Sequence, residues 1–155
     1  MILNLEGYSF RFVDFIKPDR DQEGRLVELM PQARYKNRRG VALHQYGAGP
    51  FCRFRVLATS REGGVYAITS SDELMYVGRG SNLSERFGSR GYGSIQPRNC
   101  FQGGQSTNCK VNSLILQHSR RGRDLQLWFH STGVPAPLES ELIRRFRPPW
   151  NDQVP

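Results

Sequence analysis

Two short apolar runs separated by a turn constrain this chain more than any other feature. Gly64 to Ile68 reads GVYAI and Leu74 to Arg79 reads LMYVGR, with Ser70-Ser-Asp-Glu73 between them. Runs of β-branched and aromatic residues around a polar turn predict two antiparallel strands joined as a hairpin. Each strand carries a tyrosine near a glycine, Tyr66 with Gly64 and Tyr76 with Gly78. Ser81 or Asn82 then caps a helix through Arg86 and Phe87, with Glu85 well placed in its first turn.

Residues 88–107 are polar and hold five glycines, which predicts a long loop. Asn108 is the expected cap of a helix over Cys109 to Ser119, with Val111, Leu114, Ile115 and His118 on one face. Leu125 to Phe129 reads as a third strand. Pro135 and Pro137 introduce a last helix, Leu138 to Phe146, which Pro148 and Pro149 halt. The expected class is α+β: a small three-stranded antiparallel sheet flanked by helices. Residues 61–155 form this domain, and residues 1–60 form an N-terminal extension that packs on or beside it and adds strands. In that extension, Tyr8 to Ile16 and Phe51 to Val56 alternate like strands, and Arg25 to Met30 reads as a short helix ended by Pro31.

The spacings within 64–151 resemble the GIY-YIG nuclease family. GVY stands at Gly64–Tyr66 and YVG at Tyr76–Gly78, Arg86 follows Tyr76 by ten, and LESELIRRFRPPWN places Glu139 twelve residues before Asn151. The resemblance covers about 90 residues and coincides with the order strand, strand, helix, helix, strand, helix read from pattern alone. It implies hydrolysis of a phosphodiester. Glu139 would be the metal ligand, a hard oxygen donor suited to one Mg²⁺ or Mn²⁺. Glu141, two residues on, lies on a different helix face.

Arg86 would clamp the scissile phosphate. Tyr66 would act as general base or orient water, and Tyr76 would position water or phosphate. Asn151, after Trp150, would hold the site together by hydrogen bonds. Many relatives carry His or Tyr four residues after the helix arginine. Here Arg90 stands there, with Tyr92 two further on. Arginine is no base at neutral pH, so either Tyr66 acts alone or Tyr92 swings in.

Charge fits a polyanion partner. The net charge is +8 and the pI about 9.9, carried by nineteen Arg and three Lys spread along the chain. Arg79, Asn82, Arg90, Arg98, Asn108, Lys110 and Asn112 are the candidate nucleic-acid contacts. Three cysteines, Cys52, Cys100 and Cys109, fit no standard zinc spacing and read as buried free thiols. His118 and His130 read as structural. The opening MILNLEGYSF lacks a basic start, and no apolar run approaches a membrane span, so a reduced cytoplasmic protein is expected.

The expected function is a metal-dependent DNA endonuclease acting on double-stranded DNA, set in restriction or host defence. A homodimer would follow, since one site cuts one strand. The rival readings are a catalytically inactive nucleic-acid-binding module and a mobile-element or toxin nuclease.

Overall fold

The computed structural model describes residues 1–37, 39–57 and 60–152. Its sheet has five strands: β1 (Ile2–Leu5), β2 (Tyr8–Ile16), β3 (Gly64–Ser70), β4 (Glu73–Gly80) and β5 (Leu125–Ser131). All pairings are antiparallel, in the order β1-β2-β5-β3-β4. The expected three-stranded sheet is therefore β5-β3-β4, extended by two strands from the N-terminus. β1 was unforeseen because four residues, two of them exposed, carry little periodic signal. It pairs only with β2, through Ile2↔Arg11 to Leu5↔Tyr8, so its strand identity comes from a partner.

The contacts divide the chain into two compact units, and neither is continuous in sequence. The first comprises residues 1–16, 56–86 and 123–155; the second comprises 17–55 and 87–122. Residues 1–16 thus belong with the sheet, whereas 17–55 group with the segment after the hairpin.

In the first unit, β3 lies between β5 and β4 and all seven of its residues are buried. The β3–β4 loop is Ser71-Asp72, with Ser71 at φ 53°, in the left-handed region. One face of the sheet presents Val65, Ala67, Val77 and Trp128 to Leu138, Leu142 and Ile143 of helix α3. That helix spans Pro135–Phe146, three residues longer at its start than its apolar pattern indicated. Pro135 at the first helical position needs no amide donor. The Thr132 hydroxyl accepts from the Val134 N–H at 3.2 Å. The helix ends at Arg147, in the left-handed conformation, whose N–H donates to the Ile143 carbonyl at 2.8 Å. Helix α1 is one turn, Leu83–Arg86, capped by the Asn82 side chain, which accepts from the Glu85 N–H at 3.1 Å.

The second unit is mostly irregular. Its helix α2 runs Ser106–Arg120, so Asn108 lies inside it and is not its cap. A 3-10 turn, η2, spans Pro97–Cys100, and another, η1, spans Pro31–Arg34. Two further expectations fail here. Residues 25–30 are extended and not helical, because Leu26 bridges Arg20 and Leu29 bridges Phe51. Phe51 to Val56 is not a strand but makes isolated bridges, through Phe51 to Leu29 and Phe54 to Pro18. No helix among the described residues is long and apolar enough to cross a membrane.

Candidate active site

In the first unit, Tyr66 and Tyr76 lie on the sheet face opposite Val65, Ala67 and Val77, which meet α3. Tyr66 pairs across the strands with Gly78. A side chain added at Gly78 would lie 2.3 Å from the Tyr66 hydroxyl oxygen and 2.4 Å from its ring, so the phenol rests directly on the bare backbone. Glycine is required here for close approach. Tyr76, on the same face two residues earlier, stacks obliquely on Tyr66 with centroids 6.1 Å apart and an interplanar angle of 36°. Both are buried, Tyr66 to 1% exposure and Tyr76 to 8%. Packing fixes these hydroxyls, because neither ring has room to swing.

Two residues beyond Gly78, the position of Gly80 leaves the stem of Arg86 within 3.7 Å of where a Cβ would stand. Arg86 therefore descends from α1 onto the strand that carries Tyr76. Gly64, across from Gly80, is equally constrained: a Cβ there would stand 2.2 Å from the His130 carbonyl oxygen.

Glu139 enters from α3. Its spacing to Leu142 and Ile143 turns it toward the sheet, while Glu141 is exposed. The Arg79 Nε lies 3.4 Å from Glu139 Oε1, with 22% of the glutamate side chain still exposed. Partial burial pushes the carboxyl above its ordinary range; the positive charges of Arg79 and Arg86 pull it back. Arg79 is a candidate nucleic-acid contact by sequence. Its observed partner is the acid.

Asn151 grips β4. Its Oδ1 accepts from the Val77 N–H at 3.0 Å and its Nδ2 donates to the Val77 carbonyl at 2.9 Å. The Trp150 N–H donates to the Met75 carbonyl at 3.0 Å. A single amide thus imitates a neighbouring strand along the open edge of β4.

The donor set can be tested against a metal ion. Glu139 offers one hard carboxylate, partly exposed. No group of three or more His, Cys, Asp or Glu side chains that could hold a metal ion occurs among the described residues. A closed zinc cage needs more ligands. One carboxylate fits a Mg²⁺-like ion, which keeps several waters and takes its other ligands from a phosphate.

The remaining candidates divide by unit. Asn82 caps α1 in the first. Arg90 and Arg98 are exposed in the second, and Lys110 there lies 5.9 Å from the Tyr46 ring centre. Asn112 is a correction. It is fully buried; its Oδ1 accepts from the Cys52 N–H at 2.8 Å, and its Nδ2 donates to the carbonyls of Cys52 and Tyr92 at 2.9 and 2.8 Å. Asn108 is also buried, with Nδ2 donating to Gln105 Oε1 at 2.7 Å. Neither amide faces outward. Tyr92 is buried with its ring edge-on to Phe87 at 5.1 Å.

Cys52, Cys100 and Cys109 are buried free thiols, and burial pushes Cys52 up to about 12. His130 Nδ1 lies 2.9 Å from the Ser9 carbonyl, a structural contact between strands. Sequence reasoning missed buried His44. Its Nδ1 accepts from the Tyr46 N–H at 3.1 Å, which puts the proton on Nε2 facing the Asn99 carbonyl.

No family model and no curated protein sequence matches this chain. Among solved structures, it is similar to a mutant of bacteriophage T4 EndoII, with 21% identity and a TM-score of 0.47 over 72% of this chain and 86% of that one. The residues themselves, rather than that likeness, carry the functional reading.

Proposed function

We propose that this chain is a metal-dependent endonuclease that hydrolyses phosphodiester bonds of double-stranded DNA, in restriction or host defence. One observation carries the reading. An acid from α3, a guanidinium from β4 and another from α1 are electrostatically coupled, and β4 also carries Tyr76.

Glu139 would hold Mg²⁺ or Mn²⁺ through its carboxylate. When bound, such an ion supplies charge neutralisation at the phosphoryl oxygens and a more acidic water. Arg86 binds a non-bridging oxygen of the scissile phosphate and stabilises the charge that grows there. Tyr66 and Tyr76 orient water and phosphate, a part suited to hydroxyls locked by packing. Arg79 keeps Glu139 ionised against the cost of its burial. Asn151 is a positioning residue: it fixes β4, and with it Tyr76 and the glycines under Tyr66 and Arg86.

Purified protein is expected to nick or cut plasmid DNA with Mg²⁺ or Mn²⁺ and to be silenced by EDTA. Glu139→Ala should abolish cutting, and Arg86→Ala should cost about 10²-fold or more in rate. Undiminished cutting by Glu139→Ala would reject the metal assignment. Binding without cutting under either metal would leave a nucleic-acid-binding module instead.

A further inference from the structure

The second unit contains a pocket of about 340 Å³ lined by Tyr35, Lys36, Arg39, Arg98 and Phe101 among others. Its chemistry is unusual for a surface loop. Tyr35 is 42% exposed, yet its ring is backed by Phe101 at 5.1 Å between centroids and a 37° tilt. Three cations surround this aromatic shelf, and no carboxylate lines it among the described residues. None of the three cations is ion-paired among those residues either.

The walls are built, not loose. The Val41 N–H donates to Asn37 Oδ1 at 3.1 Å, and Asn37 Nδ2 donates back to the Val41 carbonyl, tying these two residues together. The Gln102 N–H donates to the Ala42 carbonyl at 2.8 Å, and Leu43 bridges Phe101, joining the two walls. A preformed pocket loses little freedom when it is filled.

We infer that this pocket takes one unpaired nucleotide of a DNA strand, its base stacked on Tyr35 and its phosphate held by Arg39, Arg98 and Lys36. A flat ring beside cations suits a base with its phosphate, since every base has a π-face and stacking tolerates any sequence. The volume is that of one small ligand. A paired duplex presents base edges and phosphates but no free ring face, so Tyr35 discriminates in favour of single-stranded or displaced nucleotides. The inference rests on DNA being the substrate, as proposed above, but not on cleavage.

The test is binding in EDTA, read by fluorescence anisotropy. The probes are a labelled single strand, a duplex with one bulged nucleotide, the fully paired duplex, and free thymidine monophosphate as competitor. The wild-type protein is expected to prefer the first two over the paired duplex, with the monophosphate far weaker. Tyr35→Ala should weaken single-strand and bulge binding by about 5- to 150-fold and spare the paired duplex, while Tyr35→Trp restores it. Arg98→Ala should weaken every strand.

Unchanged affinity for the bulge in a folded Tyr35→Ala protein overturns the inference. So does an equal loss on the paired duplex, which marks a backbone groove only, or monophosphate binding as tight as a strand, which marks a small-molecule site. Protein that binds in this pattern yet never cuts sinks the nuclease reading alone. Protein that cuts while Tyr35→Ala changes nothing sinks the pocket alone.

Discussion

Glu139 bears two opposed demands. Charge is needed for metal and is disfavoured by burial, so function and stability pull apart at this residue. Glu139→Gln is expected to lose cutting by orders of magnitude and to melt higher than wild type at neutral pH. The sign follows from proton linkage. A carboxyl raised on folding binds more protons folded than unfolded once pH climbs past its ordinary 4.5, so wild type loses stability there. Below that pH both states are protonated and the two melting curves should converge. A gap that widens on acidification would contradict the burial argument. Gly78→Ala tests the neighbouring contact: a methyl 2.3 Å from the Tyr66 oxygen must displace the phenol, costing about 1–3 kcal/mol and most of the activity. A wild-type melt with wild-type cutting would show that Tyr66 has room to move. The motif residues were legible in the sequence because their intervals match a family pattern. The Arg79–Glu139 pairing was not, since nothing linear relates a strand arginine to a helix acid sixty residues on.

Elements with their own periodicity were readable: the β3–β4 hairpin, β2, β5 and α3 lie where alternation and capping put them. Elements defined by a partner were not. Residues 25–30 have helix-compatible composition, but Leu29 exchanges backbone hydrogen bonds with Phe51 at 2.8 and 2.9 Å, and tertiary pairing overrode local preference. Asn112 shows the same limit on α2. On a helical wheel it is one more polar residue beside Lys110, but it pins the chain at Cys52 and Tyr92 by three hydrogen bonds. Asn112→Ala should strand buried backbone groups and destabilise the protein by about 2–5 kcal/mol, read in chemical denaturation. A nucleic-acid contact would instead leave stability intact and lower affinity. A normal melt with weakened binding would restore the role first read from the sequence.

At the scale of the whole molecule, the charge of +8 is the dominant physical property, and it was visible from composition alone. DNA binding should therefore fall steeply with salt. Neutralising six phosphates implies a loss on the order of 10³-fold between about 50 and about 200 mM monovalent salt, and a flat salt response would reject a phosphate-dominated interface. The grip of Trp150 and Asn151 on β4 has another consequence. Those two residues occupy hydrogen-bonding groups that would otherwise recruit a foreign strand. Protein cut back to residue 149 is expected to gather into oligomers by edge-to-edge addition, seen as early elution in size exclusion, while the full chain keeps its sheet to itself.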